Sequence, residues 1–175
     1  AELAREARRE PLPNIFRLVP AARAAGVRVV HCLAQRRADG LGSSHNARIF
    51  MAGRGRGADM TPGSPGGSLL PELGPEPTDL VLTRIHGVGP MGGTDLDPVL
   101  RNLGVRTIVA TGVSVNVAIT NLVMDAVNRG YQVVLPRDAV AGVPAEYADA
   151  VIDNTLSLLA TVTTTDALLD IWKGA

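Results

Sequence analysis

The sequence predicts a three-layer α/β/α fold, with a parallel sheet covered by helices on both faces. Two observations carry the prediction. Short β-branched runs bounded by glycine and proline alternate with segments of helical period. The runs are apolar on both faces, as strands covered on both sides are. Strand–helix–strand units of this kind join through right-handed crossovers. The chain has 175 residues, 46% of them hydrophobic, enough for one domain that buries roughly 70% of its unfolded surface. A single domain over residues 1–175 is therefore expected.

In chain order, AELAREARRE reads as a helix already under way, with no N-cap, so a start upstream of Ala1 is expected. From Asn14, residues Ile15, Leu18, Val19 and Ala22 repeat at helical spacing, and Gly26 stands where a C′ glycine ends a helix. Val27 to Leu33 reads as a strand, and so does Asp79 to Arg84. Thr94 and Asp97 form a capping-box-like pair opening a helix that Gly104 ends. Val105 to Gly112 is the most apolar strand. A helix over Asn116 to Asn128, ended by Gly130, leads to a strand over Tyr131 to Pro136. Glu146 to Leu159 is a long amphipathic helix, Thr161 to Thr164 a short strand, and Thr165 to Trp172 a closing helix.

One stretch breaks the rhythm. About residues 35–77 form an insertion rich in glycine, proline and arginine, including Arg36, Arg37, Arg48, Arg54 and Arg56. Structureless connections of this length are uncommon in compact domains, which leaves a lid, a pocket wall, an oligomerisation arm or a disordered excursion. Its SSHNARIFMA segment has the composition of a short helix.

Composition excludes several classes. With 17 basic and 17 acidic residues there is no net field to attract nucleic acid or an anionic membrane. No apolar run reaches the roughly 18–20 residues of a membrane span, and no leader peptide is legible. Cys32 is the one cysteine and Lys173 the one lysine. A disulfide framework, a cysteine-ligated zinc and a P-loop lysine are thereby excluded. The three histidines lack metal-ligand spacing, so neither metal nor cofactor is expected. The unpaired thiol fits a reducing, cytoplasmic setting.

In an open parallel sheet, ligands bind beyond the carboxyl ends of the strands. That rule selects Cys32 with Gln35, Arg84 with His86, Gly112 to Ala118, and Arg137 with Asp138. In TGVSVNVAITN, Gly112 permits a tight turn and a helix opens within a few residues, so its free N–H groups face the crevice. Ser114 and Asn116 are the polar side chains of that corner, with turn and N-cap roles as the alternative. Arg84 has the geometry to hold a carboxylate bidentately or to serve a structural ion pair. His86 is an acid–base candidate, or a loop hydrogen-bonding group. The GVGPMGG segment after it lacks the spacing of a dinucleotide fingerprint. His31 and Cys32 are adjacent on a strand and point to opposite faces, so they cannot form a dyad. Cys32 reads as a buried small hydrophobe.

Three stretches, PNIFRLVPAARAAGVRVVHC, GGTDLDPVLRNLGVRTIVATGVSVNVAITNLVMDAVNRGYQVVLPRDAVAG and the closing helix–strand–helix, resemble the isochorismatase-like cysteine hydrolases, the group of nicotinamidases and N-carbamoylsarcosine amidases. The resemblance spans about Asn14 to Trp172. It implies a Rossmann-like six-stranded sheet of order 3-2-1-4-5-6, whose first strand lies outside this chain, and a homo-oligomer, dimer or tetramer. It also implies a non-proline cis peptide at Val113–Ser114. The family's chemistry uses an Asp, a Lys and a Cys nucleophile whose thiolate attacks a carbonyl while backbone N–H groups of the corner hold the oxyanion.

Transferred by motif, the Cys position falls on Ala118 and the Lys position on Arg84, whose guanidinium keeps its charge but hardly gives up a proton. The Asp would precede Ala1. The expected site is therefore Arg84, Ser114 and the substituted Ala118 for chemistry, with His86, Val113, Asn116 and Val117 for substrate binding. Three functions remain open. The first is a hydrolase-fold protein that acts on or binds a small carboxylate or amide without a thioester at this corner. The second is an inactive relative that binds a small anion or acts as an oligomeric scaffold. In the third, Cys32 is a displaced nucleophile.

Overall fold

Residues 2–51 and 59–174 are described in a computed structural model. Two helices open it, α1 (Glu2–Arg9) and α2 (Pro11–Ala24), followed by β1 (Val30–Ala34), the short α3 (Arg48–Met51) and β2 (Leu80–Arg84). Next come α4 (Leu96–Asn102), β3 (Thr107–Val109), β4 (Gly112–Val113), a π-helical turn (Val115–Ile119) and α5 (Thr120–Asn128). The chain closes with β5 (Gln132–Pro136), β6 (Val140–Ala141), α6 (Ala145–Asn154), β7 (Thr161–Thr163) and α7 (Thr165–Lys173).

Glycine sets the helix ends as the sequence predicts. Gly26, Gly104 and Gly130 have φ of 71°, 68° and 86°. In each case the residue after the glycine donates to the carbonyl five positions back, as in Val27 N to Ala22 O at 2.8 Å. These closures hold the chain in a turn for several residues, so β1 starts at Val30 instead of Val27. Helix α2 starts earlier than Asn14, because Pro11 and Pro13 occupy a first turn that needs no N–H donors. The apolar run Val105 to Gly112 divides into β3 and β4, and the helix from Glu146 stops at Asn154, followed by a 3₁₀ turn over Leu156–Leu158.

All strand pairs are parallel. The sheet forms two blocks, β1-β2 and β3-β5-β7, with a β4-β6 pair beyond. The two blocks correspond to strands 3-2 and 4-5-6 of the order that the resemblance implies. Side chains alternate between two cores. Val133 and Leu135 of β5 and Ile108 of β3 join α4, α5 and α6, whereas Val134 and Val109 join Ile15 and Leu18 of α2 and Leu168 of α7. Helices thus cover both faces, in three layers.

The described part of the insertion is tied to the frame. Gln35 N donates to Arg84 O at 2.8 Å, Gln35 Nε2 to Gly67 O at 2.6 Å, and Arg36 N to Met60 O at 2.9 Å. Gly67 is buried, and a Cβ there would sit 2.2 Å from Thr61 O, so only glycine fits this closure. A single turn of helix forms within SSHNARIFMA; Ala52, Arg54 and Arg56 lie outside the described residues. Among the described residues no helix is long and apolar enough to cross a membrane.

Candidate functional site

Arg84 ends β2, on the strand face that also carries Leu82 and, one strand over, Cys32. Its Nη2 donates to Val88 O at 3.2 Å, and its Nε is buried without a hydrogen-bond partner. No carboxylate pairs with it among the described residues. Burial pushes the guanidinium pKa down, with the Cys32 side chain as a smaller opposing influence. The structural ion pair held open for Arg84 is not formed. A small cleft of about 10 Å³ lies beside it, lined by Cys32, Leu33, Leu82, Thr83, Pro90 and Thr94.

Cys32 is not the buried hydrophobe expected: it keeps solvent access at the cleft. The strand was read as covered on both faces, but among the described residues β1 pairs with β2 alone and borders the division of the sheet. The surrounding protein still desolvates the thiol and pushes its pKa up, an effect Arg84 partly offsets. His31 faces the other way, as predicted, with Nε2 3.1 Å from Asp79 Oδ2. Asp79 also accepts from Arg23 Nε at 3.1 Å, Arg23 Nη2 at 2.5 Å and Glu76 N at 3.1 Å. The Arg23 guanidinium holds that carboxyl well below the usual carboxylate range.

The loop from Ile85 to Gly93 carries His86 and is held by four contacts. Met91 is buried in the larger core. At Gly89 a Cβ would lie 1.7 Å from Asn121 Oδ1, so backbone and side chain are in direct contact. The His86 ring lies against Gly93, where a Cβ would stand 3.1 Å from its Cε1. From the insertion, Ser44 Oγ accepts from Gly87 N at 3.2 Å. Asn121 is one helical turn beyond Ala118, so the Arg84 loop packs on the helix face that carries the expected nucleophile position.

The corner itself follows the motif. Gly112 has φ 108°, the Val113–Ser114 peptide is cis as the resemblance implies, and Ser114 is extended. The predicted α-helix is wound as a π turn in its first five residues: Ile119 N donates to Ser114 O at 3.0 Å, and Thr120 Oγ1 takes Val115 O at 2.6 Å. Buried Val115 anchors the turn. Asn116 Nδ2 donates to Val143 O at 2.7 Å and its Oδ1 is buried without a partner; the space is held open by Gly142, where a Cβ would meet that oxygen at 2.4 Å. Asn116 thus positions the corner against the loop before α6. Ser114 caps the turn through its backbone, with no side-chain cap bond. Ala118 and Val117 are half-buried and Val113 is exposed.

Two other candidates have structural partners. Arg137 pairs with Asp149 and Asp153 of α6 at 3.8 and 3.2 Å. Asp138 Oδ1 accepts from Thr165 N at 2.8 Å and Thr165 Oγ1 at 3.0 Å, opening α7. The Thr94–Asp97 capping box does not close either. Thr94 Oγ1 accepts from Leu96 N at 3.2 Å, but the Asp97 carboxylate turns to Tyr131 Oη at 2.9 Å and Arg101 Nε at 3.1 Å, stronger charge-assisted partners. Among the described residues no cluster of three His, Cys, Asp or Glu side chains could hold a metal. Sequence reasoning missed Asn121 and Met91, because each acquires its place through a contact between distant segments.

The fold and corner define a parallel α/β protein of the cysteine-hydrolase type. The isochorismatase domain matches residues 1–167, and the chain belongs to this family. A ureidoacrylate amidohydrolase RutB from Methylorubrum extorquens is 33% identical over 77% of this chain and 59% of its own length. The RutB of Variovorax paradoxus is 32% identical over 73% of this chain and 55% of its own. The chain thus spans less than two thirds of these curated relatives. Among solved structures, a cysteine hydrolase from Pseudomonas syringae pv. phaseolicola superposes with TM-score 0.83 at 25% identity, covering 94% of this chain and 81% of that one. The N-carbamoylsarcosine amidase of Thermoplasma acidophilum gives TM-score 0.74 at 24% identity, over 90% of this chain and 83% of that one, and shares the fold.

Proposed function

We propose that the chain forms a hydrolase-fold protein that binds a small carboxylate- or amide-bearing metabolite between Arg84 and the Val113–Ala118 corner, and acts on it without a thioester at position 118. The observation that carries this is Arg84, half-buried, without a carboxylate partner among the described residues, and with Nε unpartnered. A desolvated guanidinium is costly unless an anion or a polarised carbonyl meets it. The relatives support the ligand class, since ureidoacrylate carries both a carboxylate and a ureido carbonyl.

In this reading Arg84 takes the carboxylate, and the N–H groups opening the helix after Ser114 face the carbonyl oxygen, where negative charge develops. Ala118 has no nucleophilic atom, and the Cys32 thiol is held in its protonated form by desolvation. Hydrolysis then proceeds by addition of water to the carbonyl carbon, with cleavage of the C–N bond and transfer of a proton to the departing nitrogen. Ser114 and His86 are the side chains of the site suited to orient that water, with Val113, Val117 and Asn116 shaping the corner. The protein assembles as a homo-oligomer in the cytoplasm, a reading supported by exposed apolar side chains such as Ile171 (65% exposed) and by the unpaired thiol.

A second reading, binding without turnover, is favoured by Ala118 and Arg84 standing where a nucleophile and a proton-transferring lysine are expected. A panel of ureido acids, acid amides and the vinyl ether isochorismate separates the two. The enzymatic reading predicts turnover that falls roughly 100-fold in Arg84→Ala and Ser114→Ala. The binding reading predicts no turnover, with a melting temperature raised by carboxylate ligands. No turnover and no thermal response together contradict both.

A further inference from the structure

Among the described residues, three buried side-chain atoms have no hydrogen-bond partner: Ser43 Oγ, Arg84 Nε and Asn116 Oδ1. Arg84 is the last residue of β2, Asn116 comes just after β4, and Ser43 lies in the segment that follows β1. Asn116 is committed through its amide to Val143 and lies against Gly142. Ser43 is different. It belongs to the insertion, and both its neighbours touch the segment just after Arg84. Ser44 Oγ accepts from Gly87 N at 3.2 Å, and a Cβ on Gly42 would meet Ile85 Cδ1 at 3.0 Å. The turn that presents it is preset: Leu41 N donates to Asp39 Oδ1 at 3.0 Å, Arg37 Nε to the same oxygen at 2.9 Å, and Ser43 N to Gly40 O at 3.3 Å. A hydroxyl held in a rigid turn, out of solvent and without a protein acceptor, is placed for something other than local structure.

We propose that Ser43 is a ligand-contacting, specificity-determining residue, through which the insertion offers a hydroxyl to the same ligand that Arg84 holds. The inference rests on the proposed role of Arg84 and narrows its ligand class. A guanidinium N–H and a serine hydroxyl contributed from adjacent segments suit a molecule with a carboxylate for Arg84 and a second polar group, an amide or ureido function, within a few bonds of it. A simple carboxylate satisfies Arg84 alone.

The test uses the full chain with two probes, acetate and N-carbamoylglycine, and compares affinities in the wild type, Ser43→Ala, Ser43→Thr and Arg84→Gln. Acetate affinity is expected to be unchanged in Ser43→Ala and lost in Arg84→Gln. Affinity for N-carbamoylglycine is expected to fall about tenfold in Ser43→Ala, in line with one hydrogen bond lost, and to recover in Ser43→Thr. Without ligand, Ser43→Ala should melt at or above the wild-type temperature, because the deleted hydroxyl has no protein partner. If N-carbamoylglycine binds through Arg84 and Ser43→Ala binds it equally well, the inference is overturned and the role of Arg84 stands. If neither probe binds the wild type, the role of Arg84 fails, and this inference with it.

Discussion

Arg84 and Cys32 share a strand face and a cleft but differ in what the protein does to them. Arg84 keeps its charge in a half-buried position with no carboxylate partner among the described residues, whereas desolvation pushes the Cys32 thiol pKa up. Alkylation of Cys32 by iodoacetamide should therefore be slow near neutral pH and accelerate only above the ordinary thiol range, near pH 8.5. Rapid labelling at pH 7 would restore Cys32 as a nucleophile. On the opposite face Asp79, 1% exposed, binds Arg23 and His31. Its pKa is depressed in the folded state, so its contribution to stability is fully present above about pH 4 and is lost as pH falls through the folded value. Asp79→Asn should cost about 1.5–3 kcal/mol, because it removes the charge-assisted bonds from Arg23, which keeps Glu76, Leu73 O and Gly74 O, and should flatten the acid limb of the stability profile. Equal acid sensitivity in wild type and variant, measured by urea melts from pH 3 to 7, would rule this out.

At the scale of elements, the site depends on a loop seated on a helix. Gly89 admits Asn121 so closely that a methyl group cannot coexist with it. Gly89→Ala should destabilise by roughly 1–3 kcal/mol and weaken ligand binding by displacing the loop that carries His86 and accepts from Arg84 through Val88 O. Asn121→Ala in the same chain should restore much of both losses; a Gly89→Ala variant with native stability and affinity would show that the contact is not needed. The helix ends at Gly26, Gly104 and Gly130 were legible because a C′ glycine acts through its own few residues. The corner at Val113–Ser114 was legible because its motif is contiguous. The seating of Gly89 on Asn121 was not, since it joins segments 85–93 and 120–128, and no local period records which loop lands on which helix. Thr94–Asp97 misled for the same reason: Tyr131 and Arg129, remote in sequence, outcompete the helix N-terminus for the carboxylate.

For the whole molecule, alternation along β3 and β5 into two separate cores made three layers predictable from apolar runs alone. Exposure of Cys32 was not predictable that way, because it depends on which strands are neighbours across the divided sheet. Arg137 and Asp138 likewise sit at a strand end, where ligands bind, yet hold α6 and α7 in place. Position at the carboxyl end of a strand therefore nominates residues, and the state of their partners selects among them. By that criterion Arg84 stands apart, and its Nε–H can be observed directly by ¹H–¹⁵N correlation of arginine side chains, with the resonance assigned by its loss in Arg84→Lys. Titration with N-carbamoylglycine should move the Arg84 Nε–H signal saturably while the other arginine Nε–H signals stay in place. A ligand that binds and leaves the Arg84 signal unmoved, or a signal that no carboxylate or amide shifts, would contradict the account.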